Sequence, residues 1–171
     1  DLGDAGEKVT ALINTHLIGL GINLTAPPVE LLSPDFMDKL AAHARRNGEP
    51  RWGNGETFLY LGSGYRLLLV DAQDEAFKLK DGRFQLLRSV LRTGGRPAAE
   101  QAFVSWYQMK GQSRIAARVA HHAPRVAVQA RSVAVREMGF RWASCSRSGD
   151  LQFHWKCLMA PLTVIDYIVV H

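Results

Sequence analysis

REMGFRWASCSRSGDLQFHWKCLMAPLTVIDYIVVH, residues 136–171, reads as a strand, a polar turn, a second strand and the opening of a helix. Ser144 to Ser148 supply the turn, and Leu151 to Trp155 alternate as a strand does. Pro161 suits a helix start because its missing N–H has no intrahelical partner there anyway. Leu162, Ile165 and Val169 form the expected buried stripe of that helix. His171 ends the apolar run at the edge of the stripe, three and four residues beyond Ile168 and Tyr167.

Upstream, Ser132-Val133-Ala134-Val135-Arg136 reads as a strand, and a long helix is expected from about Pro97 to His121 or His122. Phe103, Trp106, Tyr107, Ile115 and Val119 are its expected buried positions. Gly111 suggests a bend, being about 1 kcal/mol worse in a helix than alanine, and Pro124 suggests an interruption or restart. Phe58–Leu61 and Tyr65–Val70 flank Gly62-Ser63-Gly64, and Phe77–Lys80 and Arg83–Leu87 flank Asp81-Gly82, so two hairpins are expected. Thr93-Gly94-Gly95-Arg96-Pro97 breaks the pattern and divides a β-rich region with a short helix, residues 1–96, from residues 97–171. Within the first region a helical pattern involves Val9, Leu12, Ile13, Leu17 and Leu20, with a strand at 18–24 as the alternative. Ala26-Pro27-Pro28 reads as a linker, and Ser33-Pro34 opens a helix that ends near Gly48. The fold class is α+β.

A chain of 171 residues, 47% hydrophobic and 22% charged, suits a globular domain with a sizeable core. No apolar run approaches a membrane span, since Asp166 breaks the longest, and no secretory signal precedes Asp1. Two cysteines, Cys145 and Cys157, could pair but make no disulfide framework, so a cytoplasmic, reducing location is expected. The net charge of +5 is uneven: Lys110, Arg114, Arg118, Arg125, Arg131, Arg136, Arg141 and Arg147 face a single acid, Glu137, in that segment. Lys110, Arg114 and Arg118 recur at four-residue spacing as one stripe, a candidate anion-binding face. A nucleic-acid-binding module is therefore the alternative function, against solvated arginines that pair with acids elsewhere.

Arg141-Trp142-Ala143-Ser144-Cys145 offers a thiol that could act as nucleophile or ligand, or a packed tryptophan followed by a structural turn. His154 and Cys157, three apart, lack the paired close spacing of a structural zinc site. His154, flanked by Phe153 and Trp155, fits a hydrogen-bonded core histidine better than a ligand. The adjacent pair His121-His122 projects to two sides of a helix and is a poor chelate.

Taken together, RWASCS, GDLQFHW and MAPLTVIDYIVVH, with FLYLGSGYRLLLV and VSWYQMKGQSRIAARVAHHAP upstream, resemble the YgjP-like, SprT-related zinc metallopeptidases. The likeness covers Phe58 to His171 well and Leu24 to Gly48 loosely. It implies a zincin-like hydrolase in which zinc held by three histidines activates a water and a glutamate serves as general base. Carried over residue by residue, His171 matches the first ligand of a His-Glu-x-x-His motif. The glutamate and the later histidines would lie beyond residue 171, so a truncated, inactive fragment is expected here. Arg141, Trp142, Ser144 and Cys145 match the family's signature hairpin near the active site. Departures are Phe140 for serine or tyrosine, Ala143 for glycine, Leu162 for a second proline, and His154 where many members have asparagine. The resemblance further implies Zn2+ as cofactor and a peptide or protein substrate held along an edge strand. Leu151, Phe153, His154 and Trp155 are the expected strand.

Overall fold

Leu61-Gly62 and Asp81-Gly82 each take positive φ at both positions, 50° and 80° in one pair and 51° and 70° in the other. That backbone lets a two-residue turn follow the right-handed twist of its strands. The first turn joins β1 (Thr57–Tyr60) to β2 (Ser63–Val70), and the second joins β3 (Phe77–Lys80) to β4 (Arg83–Leu87). Both expected hairpins are present. β2 and β4 pair in parallel, giving a mixed sheet of order β1-β2-β4-β3.

This computed structural model describes residues 50–139 and 141–170. The helix, linker and strand expectations before residue 50 lie outside those residues, as do Phe140 and His171.

Helix α1 (Arg88–Val126) begins directly after β4, nine residues before the expected start at Pro97. The glycine-rich break is a kink within it: Gly95 alone leaves helical geometry, at φ 61° and ψ −156°. Gly111 stays helical, so the expected bend there is absent. A Cβ at Gly111 would lie 2.9 Å from Leu158 Cδ2 and 3.0 Å from Val135 Cγ1, so this glycine permits a close approach instead. Pro124 sits in the last turn and does not interrupt the helix, which closes at Ala127 in the left-handed region.

Phe103, Trp106, Tyr107, Ile115 and Val119 are all buried, as their spacing required. Phe103, Trp106 and Tyr107 pack against the first sheet in a dense aromatic core. Ring centroids lie 5.0 Å apart for Phe58–Phe103, 5.2 Å for Phe84–Trp106 and 4.5 Å for Phe103–Tyr107. Such tilted and edge-on pairs add to the stabilisation from area burial.

A second sheet follows, of β5 (Ser132–Arg136), β6 (Ala143–Cys145) and β7 (Asp150–His154), in the order β5-β7-β6. β5 runs parallel to β7 and β6 antiparallel to it. A 3-10 turn (Trp155–Met159) then leads to α2 (Leu162–Val170). The buried positions of α2 are Val164, Ile165, Tyr167 and Ile168. Leu162 is 42% exposed, so the stripe is displaced from the expected Leu162–Ile165–Val169 line. α2 turns that face toward α1 instead.

The hairpin turn at Leu61-Gly62 is bound to the far end of the chain. Leu61 N–H donates to Leu158 O at 2.7 Å and Gly62 N–H to Met159 O at 3.1 Å. One hydrophobic cluster runs from Trp52 to Ile168 and takes residues from both sides of position 96. No helix among the described residues is long and apolar enough to cross a membrane.

Candidate functional site

The hairpin of β6 and β7 is organised by the serine-rich turn that the sequence marked. Asp150 accepts hydrogen bonds from Ser132 Oγ at 2.7 Å, Ser148 Oγ at 2.8 Å and Ser146 Oγ at 3.2 Å. These donors, with Ser132 the largest influence, hold the Asp150 carboxyl below its ordinary range. They also tie the turn to β5.

β7 is the central strand of its sheet, which corrects the expectation that Leu151–Trp155 is a substrate-binding edge. Its two sides already pair with β5 and β6, because the β5–β7 crossover inserts β7 between them. His154 is wholly buried and Trp155 nearly so.

The two outer edges differ. On β5, the Gln112 side chain of α1 donates from Nε2 to Val133 O at 2.6 Å and accepts from Val135 N–H at 3.1 Å. One amide thus occupies the edge as a neighbouring strand would. On β6, Trp142 O accepts from His154 N–H at 2.7 Å, and Ser146 N–H donates to Asp150 O at 3.0 Å. Antiparallel pairing alternates, so residues 142, 144 and 146 turn their backbone groups to β7. Ala143 and Cys145 turn theirs outward.

His154 serves as a structural link. Its Nδ1 accepts Lys156 N–H at 3.0 Å, which makes Nε2 the protonated nitrogen that donates to Glu137 Oε1 at 2.7 Å. The second oxygen of Glu137 accepts Trp155 Nε1–H at 2.8 Å. Burial lowers the His154 pKa against the opposing pull of Glu137, so the ring is neutral. For Glu137 burial works to raise the pKa, but the indole N–H and His154 outweigh it, and the carboxyl sits below its ordinary value. An asparagine at position 154 could also accept the Lys156 N–H.

A cavity of about 720 Å³ opens between the end of α1, the β6–β7 face and the end of α2. Val119 and Val126 of α1, Leu151 and Phe153 of β7, and Ile168 and Val170 of α2 give it apolar walls. Arg141, Trp142, Ser144 and Cys145 all border it, so the structure brings the four hairpin residues together. His171 follows Val170 in sequence and lies outside the described residues.

Cys145 is exposed, and its Sγ contacts only Ser146 O, at 3.3 Å, among the described hydrogen bonds. Cys157 is fully buried, and burial pushes its thiol far above the ordinary value. Both thiols are free. His122 turns inward to Asp166 Oδ1 at 3.3 Å while His121 is exposed, yet the two rings meet edge-on with centroids 4.9 Å apart. Among the described residues no group of three His, Cys, Asp or Glu side chains could hold a metal ion.

The basic stripe is largely engaged within the molecule. Arg118 pairs with Asp166, Nη2–Oδ2 being 2.7 Å, and Arg114 Nε donates to Tyr60 Oη at 2.9 Å. Lys110 Nζ lies 6.0 Å from the Trp106 ring centroid. Residues that sequence reasoning missed are Gln112, Glu137 and Asp166. The last had a signal: it is the one acid inside the apolar run 162–170, and such an acid implies a buried cationic partner.

A family profile described as YgjP-like, metallopeptidase domain, matches residues 35–171. No curated protein and no solved structure gives a significant match.

Proposed function

The chain belongs to the YgjP-like metallopeptidase family, and from that membership we propose a metal-dependent hydrolase of peptide bonds, with zinc as its metal and His171 as one ligand. The observation that carries this reading is the family match across residues 35–171, which includes the β6–β7 hairpin and α2. Zinc, when bound in such a site, supplies Lewis acidity toward the scissile carbonyl and a water of lowered pKa.

The described residues alone do not fit a catalytic zinc. Such a site takes three protein ligands, and these residues offer no cluster of that kind. His154 has both ring nitrogens engaged. The 171 residues also contain no His-Glu pair, so the motif's general base is not among them. No step through the metal is therefore assigned to these side chains. What supports the reading in their geometry is placement: the end of α2, which precedes His171 in sequence, lines the cavity that the hairpin residues border.

Two preparations test the proposal. The purified 171-residue polypeptide is expected to retain far less than one equivalent of zinc in elemental analysis and to leave casein intact. The protein isolated from its source is expected to carry zinc and to cleave casein until a chelator is added. Stoichiometric zinc in the first preparation would sink the expected inactivity of these residues, and a metal-free, inactive native protein would sink the hydrolase reading.

A further inference from the structure

We propose that the cleft between α1 and the first sheet, rimmed by Lys110 and Arg114, binds the phosphate monoester of a small molecule, whose flat apolar body rests on Tyr60, Leu79 and Trp106. The inference is independent of the hydrolase reading, since this cleft of about 430 Å³ shares no lining residue with the cavity that the β6–β7 hairpin borders.

The lining holds two cations and no acid. Lys110 and Arg114 stand about one turn apart on the same face of α1, where like charges repel. Neither has an acidic partner among the described residues. Arg118, next along the stripe, differs in being neutralised by Asp166. The two cleft cations are instead held over rings: Lys110 Nζ lies 6.0 Å from the Trp106 centroid and Arg114 Cζ 5.8 Å from that of Tyr60. Arg114 Nε also donates to Tyr60 Oη at 2.9 Å, which fixes the guanidinium and leaves its Nη donors available to a phosphate. The aromatic floor adds two unused donors. Tyr60 is 5% exposed, and its Oη accepts from Arg114, so its own O–H proton has no described acceptor. Trp106 is 3% exposed, and its indole N–H is buried without a hydrogen-bond partner. Buried donors are rarely left so, and a ligand oxygen seated on the floor supplies an acceptor. A phosphate monoester carries about −1.5 to −2 charges at pH 7 and three acceptor oxygens, which matches one lysine and one arginine better than a single carboxylate charge does. The ring faces and Leu79 favour burial of an apolar body, and the volume falls within the range of small-molecule pockets.

The test is titration calorimetry on the 171-residue chain, followed by NMR, with phenyl phosphate, phenylacetate, inorganic phosphate and benzyl alcohol as probes. Phenyl phosphate is expected to bind at least about tenfold more tightly than inorganic phosphate or benzyl alcohol, and more tightly than phenylacetate. The largest shifts are expected at the amides from Lys110 to Arg114 and at the Trp106 indole N–H. Lys110→Gln and Arg114→Gln should each weaken phenyl phosphate by about tenfold. Both side chains are exposed, and circular dichroism checks that the fold is kept. Should Arg114→Gln unfold through loss of its bond to Tyr60, Lys110→Gln alone decides. Arg92→Gln, which alters another exposed arginine of α1 outside the cleft, should bind as the parent does. Equal affinity for phenyl phosphate and benzyl alcohol, a preference for phenylacetate, shifts centred on the larger cavity, or the same loss from Arg92→Gln as from Lys110→Gln would each overturn the proposal.

Discussion

Arg118 of α1 and Asp166 of α2 meet in a two-point ion pair, with Nη2 donating to Oδ2 at 2.7 Å and Nε to Oδ1. Their side chains are 30% and 25% exposed, so the pair is partly shielded from water. Nη2 also lies 3.3 Å from His122 Nε2, which makes a three-residue junction between the helices.

Replacing Asp166 by asparagine strands a shielded guanidinium and should destabilise the fold by about 1–3 kcal/mol. Urea unfolding gives the value. A double-mutant cycle with Arg118→Met should return a coupling of about 1 kcal/mol or more. Additive single effects would show that the two side chains act independently.

Gln112→Ala removes the amide that closes β5, leaving Val133 O and Val135 N–H without that partner. The expected result is a loss of about 1–2 kcal/mol together with self-association through the opened edge. Light scattering after size exclusion reads the second effect. A variant that stays monomeric at high concentration would mean the edge is protected by something else.

Acid should loosen the Glu137–His154–Trp155 link in two stages. His154 has its folded pKa lowered, by burial first, from an ordinary 6.5. Its stabilising contribution is complete above 6.5 and falls as pH drops toward the folded value. Glu137, also lowered, contributes above its ordinary 4.5 and loses that contribution as pH falls through its folded value. Both therefore act in the same direction. Thermal melts should decline below about pH 6.5, and His154→Asn should flatten the first part of that decline. An unchanged slope in the variant would assign it to other groups.

Gly62 and Gly82 allow a matched comparison of two turns. Each has positive φ, 80° and 70°, but a Cβ at Gly62 would lie 2.8 Å from Pro161 Cγ while one at Gly82 meets nothing within 4 Å. Gly82→Ala should cost about 1 kcal/mol from backbone strain alone. Gly62→Ala should cost clearly more, about 2–3 kcal/mol, because Pro161 has to move. Equal losses in urea titrations would show that the turn does not press on Pro161, the residue before α2.

Local signals were legible where one residue type has one physical use. Asp81-Gly82 between alternating runs could only be a tight turn, and the spacing of Phe103, Tyr107, Ile115 and Val119 could only bury one helix face. The β6–β7 hairpin was likewise legible from RWASCS and GDLQFHW. What failed depended on partners distant in sequence. Gly111 looked like a weak helix position because the nearness of Leu158 and Val135 is invisible locally. Leu151–Trp155 looked like an edge because nothing in its own residues says that β5 will lie beside it in parallel. Arg114 and Arg118 looked like an exposed stripe because Tyr60 and Asp166 come from other elements.

The bonds from Leu61 and Gly62 to Leu158 and Met159 make the end segment a poor cassette. Grafted onto another scaffold without the β1–β2 hairpin, residues 97–171 would carry two carbonyls stripped of their donors and an open seat where Pro161 now rests. The stretch that identifies the family is thus held in its native shape by contacts from the opposite end of the described chain.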